Sequence, residues 1–116
     1  MQAAGDINLW GAALQGGGQG VGIYGQVQGG TVTITGQTGA TSGFAVMTQA
    51  SANILSTVGS INIYGSQVGG GTSNMAAVNL GGNLISAKTD INIAGYSANS
   101  QYGINNASIM LAGRDI

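Results

Sequence analysis

Four short stretches of this chain alternate strictly between apolar and polar residues. They are Gly5-Asp6-Ile7-Asn8-Leu9-Trp10-Gly11, Gly30-Thr31-Val32-Thr33-Ile34-Thr35-Gly36, Gly59-Ser60-Ile61-Asn62-Ile63-Tyr64-Gly65 and Thr89-Asp90-Ile91-Asn92-Ile93-Ala94-Gly95. A period of two marks a strand with one face buried. Each stretch therefore predicts a strand that points its aliphatic residues inward. Gly113-Arg114-Asp115-Ile116 begins a fifth copy. The anchor residues Ile7, Val32, Ile61, Ile91 and Ile116 fall about 25, 29, 30 and 25 residues apart, a spacing that marks solenoids and arrays.

Two weaker apolar runs sit in each interval. The middle ones are Val21-Gly22-Ile23-Tyr24, Phe44-Ala45-Val46-Met47, Met75-Ala76-Ala77-Val78 and Tyr102-Gly103-Ile104; the later ones include Asn53-Ile54-Leu55, Asn83-Leu84-Ile85 and Ser108-Ile109-Met110-Leu111. Three short strands per repeat describe one turn of a parallel β-helix, in which each strand pairs with its counterpart one turn away. The predicted architecture is all-β: a single β-solenoid domain over 1–116, of about four turns with three short strands per turn. Its repeats start near 5, 30, 59 and 89, with a fifth begun at 113. Ile54, Leu84 and Ile109 each precede the next anchor isoleucine by seven residues, which predicts a last corner of fixed length; Gly25 breaks the rule in the first repeat. Glycines in loops such as 15–20 and 68–72 are expected to supply the positive φ of sharp corners. The absence of proline suits interior rungs, which must donate every backbone N–H.

With Ile7 inward, alternation places Leu9, Val32, Ile34, Ile61, Ile63, Ile91 and Ile93 in the core as aliphatic ladders. The intervening residues form outward columns. Asp6, Thr31, Ser60, Asp90 and Asp115 make one; Asn8, Thr33, Asn62 and Asn92 make an outer polar ladder; Trp10, Thr35, Tyr64 and Ala94 make a third. Amide side chains can hydrogen-bond along such a stack.

These anchors, the Tyr102-Gly103-Ile104 middle strand and the Ala112-Gly113-Arg114-Asp115-Ile116 ending resemble the repeat region of filamentous-haemagglutinin-type exoproteins, large adhesins of Gram-negative bacteria secreted by a two-partner route. The resemblance spans nearly the whole chain. It implies a right-handed parallel β-helix, export through a partner barrel protein, and an extracellular or bacterial cell-surface location. The chain departs from the family in its length and in having no Asn-Pro secretion motif.

Composition narrows the functions further. Only two basic and three acidic side chains occur among 116 residues, so nucleic acid and anionic membrane surfaces find little to attract them. No stretch has the roughly 18 uninterrupted apolar residues of a membrane span, and Met1-Gln2-Ala3-Ala4 lacks the order of a signal peptide. The protein is read as not membrane-embedded. Cysteine and histidine are absent, which removes thiolate chemistry and the commonest metal ligand. No calcium-binding Gly-Gly-x-Gly-x-Asp nonapeptide occurs, so no metal and no cofactor are expected.

Asp90 and Asp115 should stand about 4.8 Å apart on adjacent rungs, near the separation of paired glycosidase carboxylates. No further acid or histidine is at hand to polarise a partner, so the chain is read as not an enzyme. The plainer role is to bond the corner backbone, with Lys88 and Arg114 neutralising the charge. Two functions remain. One is a structural segment or stacking subunit of a secreted fibre, joined end to end to further copies or to neighbouring repeats of a longer chain. The other is a module that binds a glycan or host surface through an outer aromatic face at Trp10 and Tyr64, two rungs apart. The same aromatics could instead pack under a glycine-rich loop or against a neighbouring chain.

Overall fold

The computed structural model describes residues 1–13, 19–39, 43–68, 77–81, 84–97, 103–106 and 108–116, and none of these is helical. Their strands, in chain order, are β1 (Ile7–Ala13), β2 (Val21–Ile23), β3 (Gln26–Gly29), β4 (Val32–Thr38), β5 (Val46–Thr48), β6 (Asn53–Ser56), β7 (Ile61–Gln67), β8 (Val78–Leu80), β9 (Leu84–Ala87), β10 (Ile91–Ser97), β11 (Ile104–Asn106) and β12 (Ile109–Ala112). They sort into three parallel four-stranded sheets, β1-β4-β7-β10, β2-β5-β8-β11 and β3-β6-β9-β12. The fold is a β-solenoid with three strands per turn. About three turns close by the return to the first sheet at β10, against the four expected, and β10 to β12 lead into the next.

In the first sheet the anchors stack in register, Ile7 on Val32, Val32 on Ile61 and Ile61 on Ile91. The interior strand β4 alternates buried and half-buried along its whole length. Ile7, Val32, Ile34, Ile61, Ile63 and Ile91 are buried, while Leu9 and Ile93 are half-buried and pack against the same cluster. Those two belong to the outermost rungs, where a side chain has a neighbour on one side only. Val46, Val78, Ile54 and Ile85 complete the bore from the other two faces.

The second sheet aligns Val21, Val46, Val78 and Ile104. Its strands begin later than the apolar runs at Phe44 and Met75 suggest. The residue before each aligned position is small: Gly20, Ala45, Ala77 and Gly103. These four pass directly across Gly11, Gly36, Gly65 and Gly95 of the first sheet. A β-carbon on Gly36 would run into the Ala45 carbonyl, and one on Gly65 would lie 2.5 Å from Val78 Cγ2 and 2.9 Å from Ala77 O. The glycine column is thus a place of close backbone approach, where the turn closes on itself. Among the described residues the one positive φ belongs to Gly43, at 149°, outside both loops expected to supply it, and Gly20 of the first loop does not share it. Positions 15–18 and 69–72 of the two glycine-rich loops, and Met75, Ala76, Asn83 and Tyr102 of the apolar runs, lie outside the described residues.

The third sheet corrects the expected corner. Ile54 pairs with Ile85 and with Val27, and Ile85 pairs with Met110. The inward residue therefore stands seven positions before Ile61 but six before Ile91, and Val27 takes the place assigned to Gly25. Leu84 is half-buried and Ile109 is 65% exposed. Two residues further on, Gly29, Ser56, Ala87 and Ala112 share the last inward position. A β-carbon on Gly29 would already lie 2.8 Å from Ile7 Cγ1, so this site beside the anchor column accepts only small residues. Register with Ile54 and Met110 turns Ile85 inward and leaves Leu55, Leu84, Ile109 and Leu111 on the outer side.

Polar residues also enter the bore at its corners. Thr38, Thr48, Ser56 and Gln67 are buried. Ser56 Oγ donates to Gly30 O at 2.5 Å, Gln67 Nε2 donates to Gly43 O at 3.2 Å, and Thr48 Oγ1 accepts from Gly81 N at 3.0 Å. Among the described residues no buried side-chain nitrogen or oxygen lacks a partner, as the high cost of leaving such a group unpaired requires. Ile85→Ala should destabilise the protein by about 2–5 kcal/mol, and Leu84→Ala by about 1 kcal/mol or less. Chemical denaturation of the two variants checks the order; a larger loss at Leu84 would restore the fixed corner.

Candidate functional site

The outer face of the first sheet carries three columns. Asn8, Thr33, Asn62 and Asn92 form the first in register. Asn92 Nδ2 donates to Asn62 Oδ1 at 2.9 Å, and Asn62 Nδ2 donates to Thr33 Oγ1 at 3.4 Å. Amide stacking recurs on the second sheet, where Asn105 Nδ2 donates to Asn79 Oδ1 at 2.9 Å. These bonds hold solvent-facing side chains in one geometry from rung to rung.

Trp10, Thr35, Tyr64 and Ala94 form the second column, and Ala12, Gln37, Ser66 and Tyr96 the third. Trp10 and Tyr64 are 71% and 41% exposed. They share a column but line different hollows. Trp10 stands at the rim of an opening of about 510 Å³ at the first rung, with Leu9, Val21, Ile23, Val27 and Tyr24. Tyr64 instead faces Tyr96 across a trough of about 220 Å³ floored by Thr35, Ser66, Ala94 and the glycine column. Tyr96 is 62% exposed. It was legible in principle, because the period of two continues beyond Gly95 to place it outward.

The aspartate column lies at the start of the same sheet. Ile7 N donates to Thr31 O, Val32 N to Ser60 O, Ile61 N to Asp90 O and Ile91 N to Asp115 O, at 2.8, 3.1, 2.9 and 2.8 Å. Asp6 and Asp90 act on their neighbours in different ways. Asp6 Oδ1 accepts from Thr31 N at 2.9 Å. Asp90 receives both arms of Arg114, with Nε donating to Oδ1 at 2.8 Å and Nη2 to Oδ2. This is the ion pair found among the described residues, so Arg114 rather than Lys88 neutralises Asp90.

The Arg114 hydrogen bonds hold the Asp90 carboxyl below its ordinary value, outweighing partial desolvation, with the guanidinium charge and the Asp115 backbone N–H adding to them. The same pairing raises Arg114. A carboxyl kept ionised in this way is a poor proton donor near neutrality. Among the described residues no three acidic side chains gather where they could share a metal ion, and no helix is long and apolar enough to cross a membrane. Searches against protein-family models, curated proteins and solved structures gave no match to this chain.

Because the folded state depresses the Asp90 value, whatever stability the pair contributes is fully present above the ordinary 3.8 and is lost as pH falls through the lowered folded value. The pair is at the surface, which keeps that contribution small. In an NMR titration of the side-chain carboxyl, Arg114→Gln should move the Asp90 midpoint upward; an unchanged midpoint would show that the guanidinium does not set it.

Proposed function

We propose that the chain is a structural segment or stacking subunit of a secreted or cell-surface β-solenoid fibre, of the adhesin-shaft type, without catalysis of its own. The phase of its outer rungs carries this reading. Ile91 N meets Asp115 O just as Ile7 N meets Thr31 O, so residues 113–116 lie where the next rung starts. At the opposite side Gln2 bridges to Gln28 in parallel, with Ala3 N donating to Gln28 O and Gln28 N to Met1 O, both at 2.9 Å. A further rung, from a second copy or from neighbouring repeats of the same chain, would continue every ladder. It would also cover Leu9 and Ile93, which are half-buried, and Ile104, which is 41% exposed, and removing apolar area from water favours association. With charged residues at 4% of the chain, repulsion between copies is weak. The likeness of the Gly-Asp/Ser-Ile-Asn anchors to exported haemagglutinin-type repeats supports the same reading.

The register adds a condition. Gln2 stands below Gln28 as Leu55 stands above it, and Leu55, Ser86 and Leu111 continue that column. Residues 1–7 and 110–116 therefore hold the same phase of the path, Met1 matching Met110 and Asp6-Ile7 matching Asp115-Ile116. Two 116-residue copies meeting end to end bring both segments to one place, and one of them must yield. A chain trimmed of residues 1–4 and 114–116 should associate at lower concentration than the full chain, into stacks one solenoid wide. Adding Ile104→Glu to it should return a folded monomer, because that side chain is accessible alone and buried in a stack. Sedimentation velocity and electron microscopy check this; a trimmed chain that stays monomeric at high concentration would defeat the stacking reading.

A further inference from the structure

We propose that the trough between Tyr64 and Tyr96 is a binding site for a neutral polysaccharide, lying along the solenoid axis on the outer face of the first sheet. The two rings stand on adjacent rungs and in adjacent columns, and both are exposed. Between them the floor presents the hydroxyls of Thr35 and Ser66, the Ala94 methyl and glycine backbone. Among the described residues the hydroxyls of Thr35, Tyr64, Ser66 and Tyr96 hold no protein partner. A sugar ring has an apolar C–H face rimmed by hydroxyls. Tyrosine faces take the first and the hydroxyl floor takes the second.

Charge selects among candidate occupants. The twelve residues of the three columns include no Asp, Glu, Lys or Arg. Sulfated or uronic-acid polymers are recognised through Arg forks and Lys ammonium groups, and this face offers neither. A peptide that binds by strand addition needs the edge of a sheet, where backbone groups are free, and that mode is closed on a face whose strands are already paired. An uncharged, hydroxyl-rich chain fits both conditions.

Direction follows from the columns, which run along the axis with one rung about every 4.8 Å. A sugar chain seated between Tyr64 and Tyr96 and running along the second column passes Thr35 and reaches Trp10, two rungs from Tyr64. Trp10 would be an outer contact and the tyrosine pair the centre of the site. The side chains involved point to solvent, so the fold does not need them for packing.

Affinity electrophoresis of the full chain through gels containing a neutral β-glucan, xylan, galactan or mannan should show retardation by at least one. Isothermal titration with the matching oligosaccharide should give the affinity. Tyr64→Ala and Tyr96→Ala should each weaken binding roughly tenfold or more, about 1.4 kcal/mol, with melting unchanged. Tyr96→Phe should retain most of the affinity, and Trp10→Ala should show a smaller loss than either tyrosine. No retardation in any neutral gel would overturn the proposal. So would binding confined to anionic polymers and abolished by salt. A third contrary result is that Tyr96→Ala changes only the sedimentation of the chain, which would make this face a contact between copies.

Discussion

Everything in this molecule depends on one repeated backbone contact, the parallel pairing of each rung with the same phase of the next. The anchor N–H groups of Ile7, Val32, Ile61 and Ile91 all donate to the carbonyl one position before the neighbouring anchor. Because a strand slipped by one residue turns every side chain to the opposite face, this contact decides at once which residues form the bore and which form the outer columns. The aliphatic ladder and the asparagine ladder are two consequences of a single register.

Closing each turn imposes a second requirement, that backbone approach backbone where the first face gives way to the second. Gly11, Gly36, Gly65 and Gly95 face Gly20, Ala45, Ala77 and Gly103, and the absence of side chains on the first set allows the approach. A matching constraint at the third corner keeps Gly29, Ser56, Ala87 and Ala112 small. Where the corners bring polar side chains inward, Ser56, Thr48 and Gln67 bond nearby backbone. The interior is thus apolar along the faces and polar at the corners.

The functional features separate along the same lines. Aspartates and arginine sit at the start of the first sheet, where Asp90 and Arg114 pair between successive rungs. The middle of that sheet is uncharged and carries the tyrosine trough, while the outer side of the third sheet carries Leu55, Leu84, Ile109 and Leu111. The stacking and the polysaccharide binding proposed above would therefore use different surfaces. One needs edge backbone, the other needs side chains on a finished face, so the two proposals are compatible.

The sequence by itself determined the repeat, from the recurrence of one anchor with two further apolar runs in each interval, and the inward set of the first sheet, because the aliphatic residues of each anchor recur with a period of two whatever stands beside them. It also located Trp10, Tyr64 and the Asn8, Thr33, Asn62 and Asn92 column, since a period of two is a local property. Tertiary structure alone decided the rest. In Asn83-Leu84-Ile85 either aliphatic residue satisfies a local pattern, and only the register with Ile54 and Met110 on the neighbouring rungs selects Ile85. Counting residues to the next isoleucine could not reveal this, because the third corner is longer at 57–60 than at 88–90 and takes up the difference. The partnership of Tyr64 with Tyr96, and the separation of Trp10 from both, came likewise from register between rungs. Local alternation says which way a side chain faces; only the stacking of turns says what stands beside it.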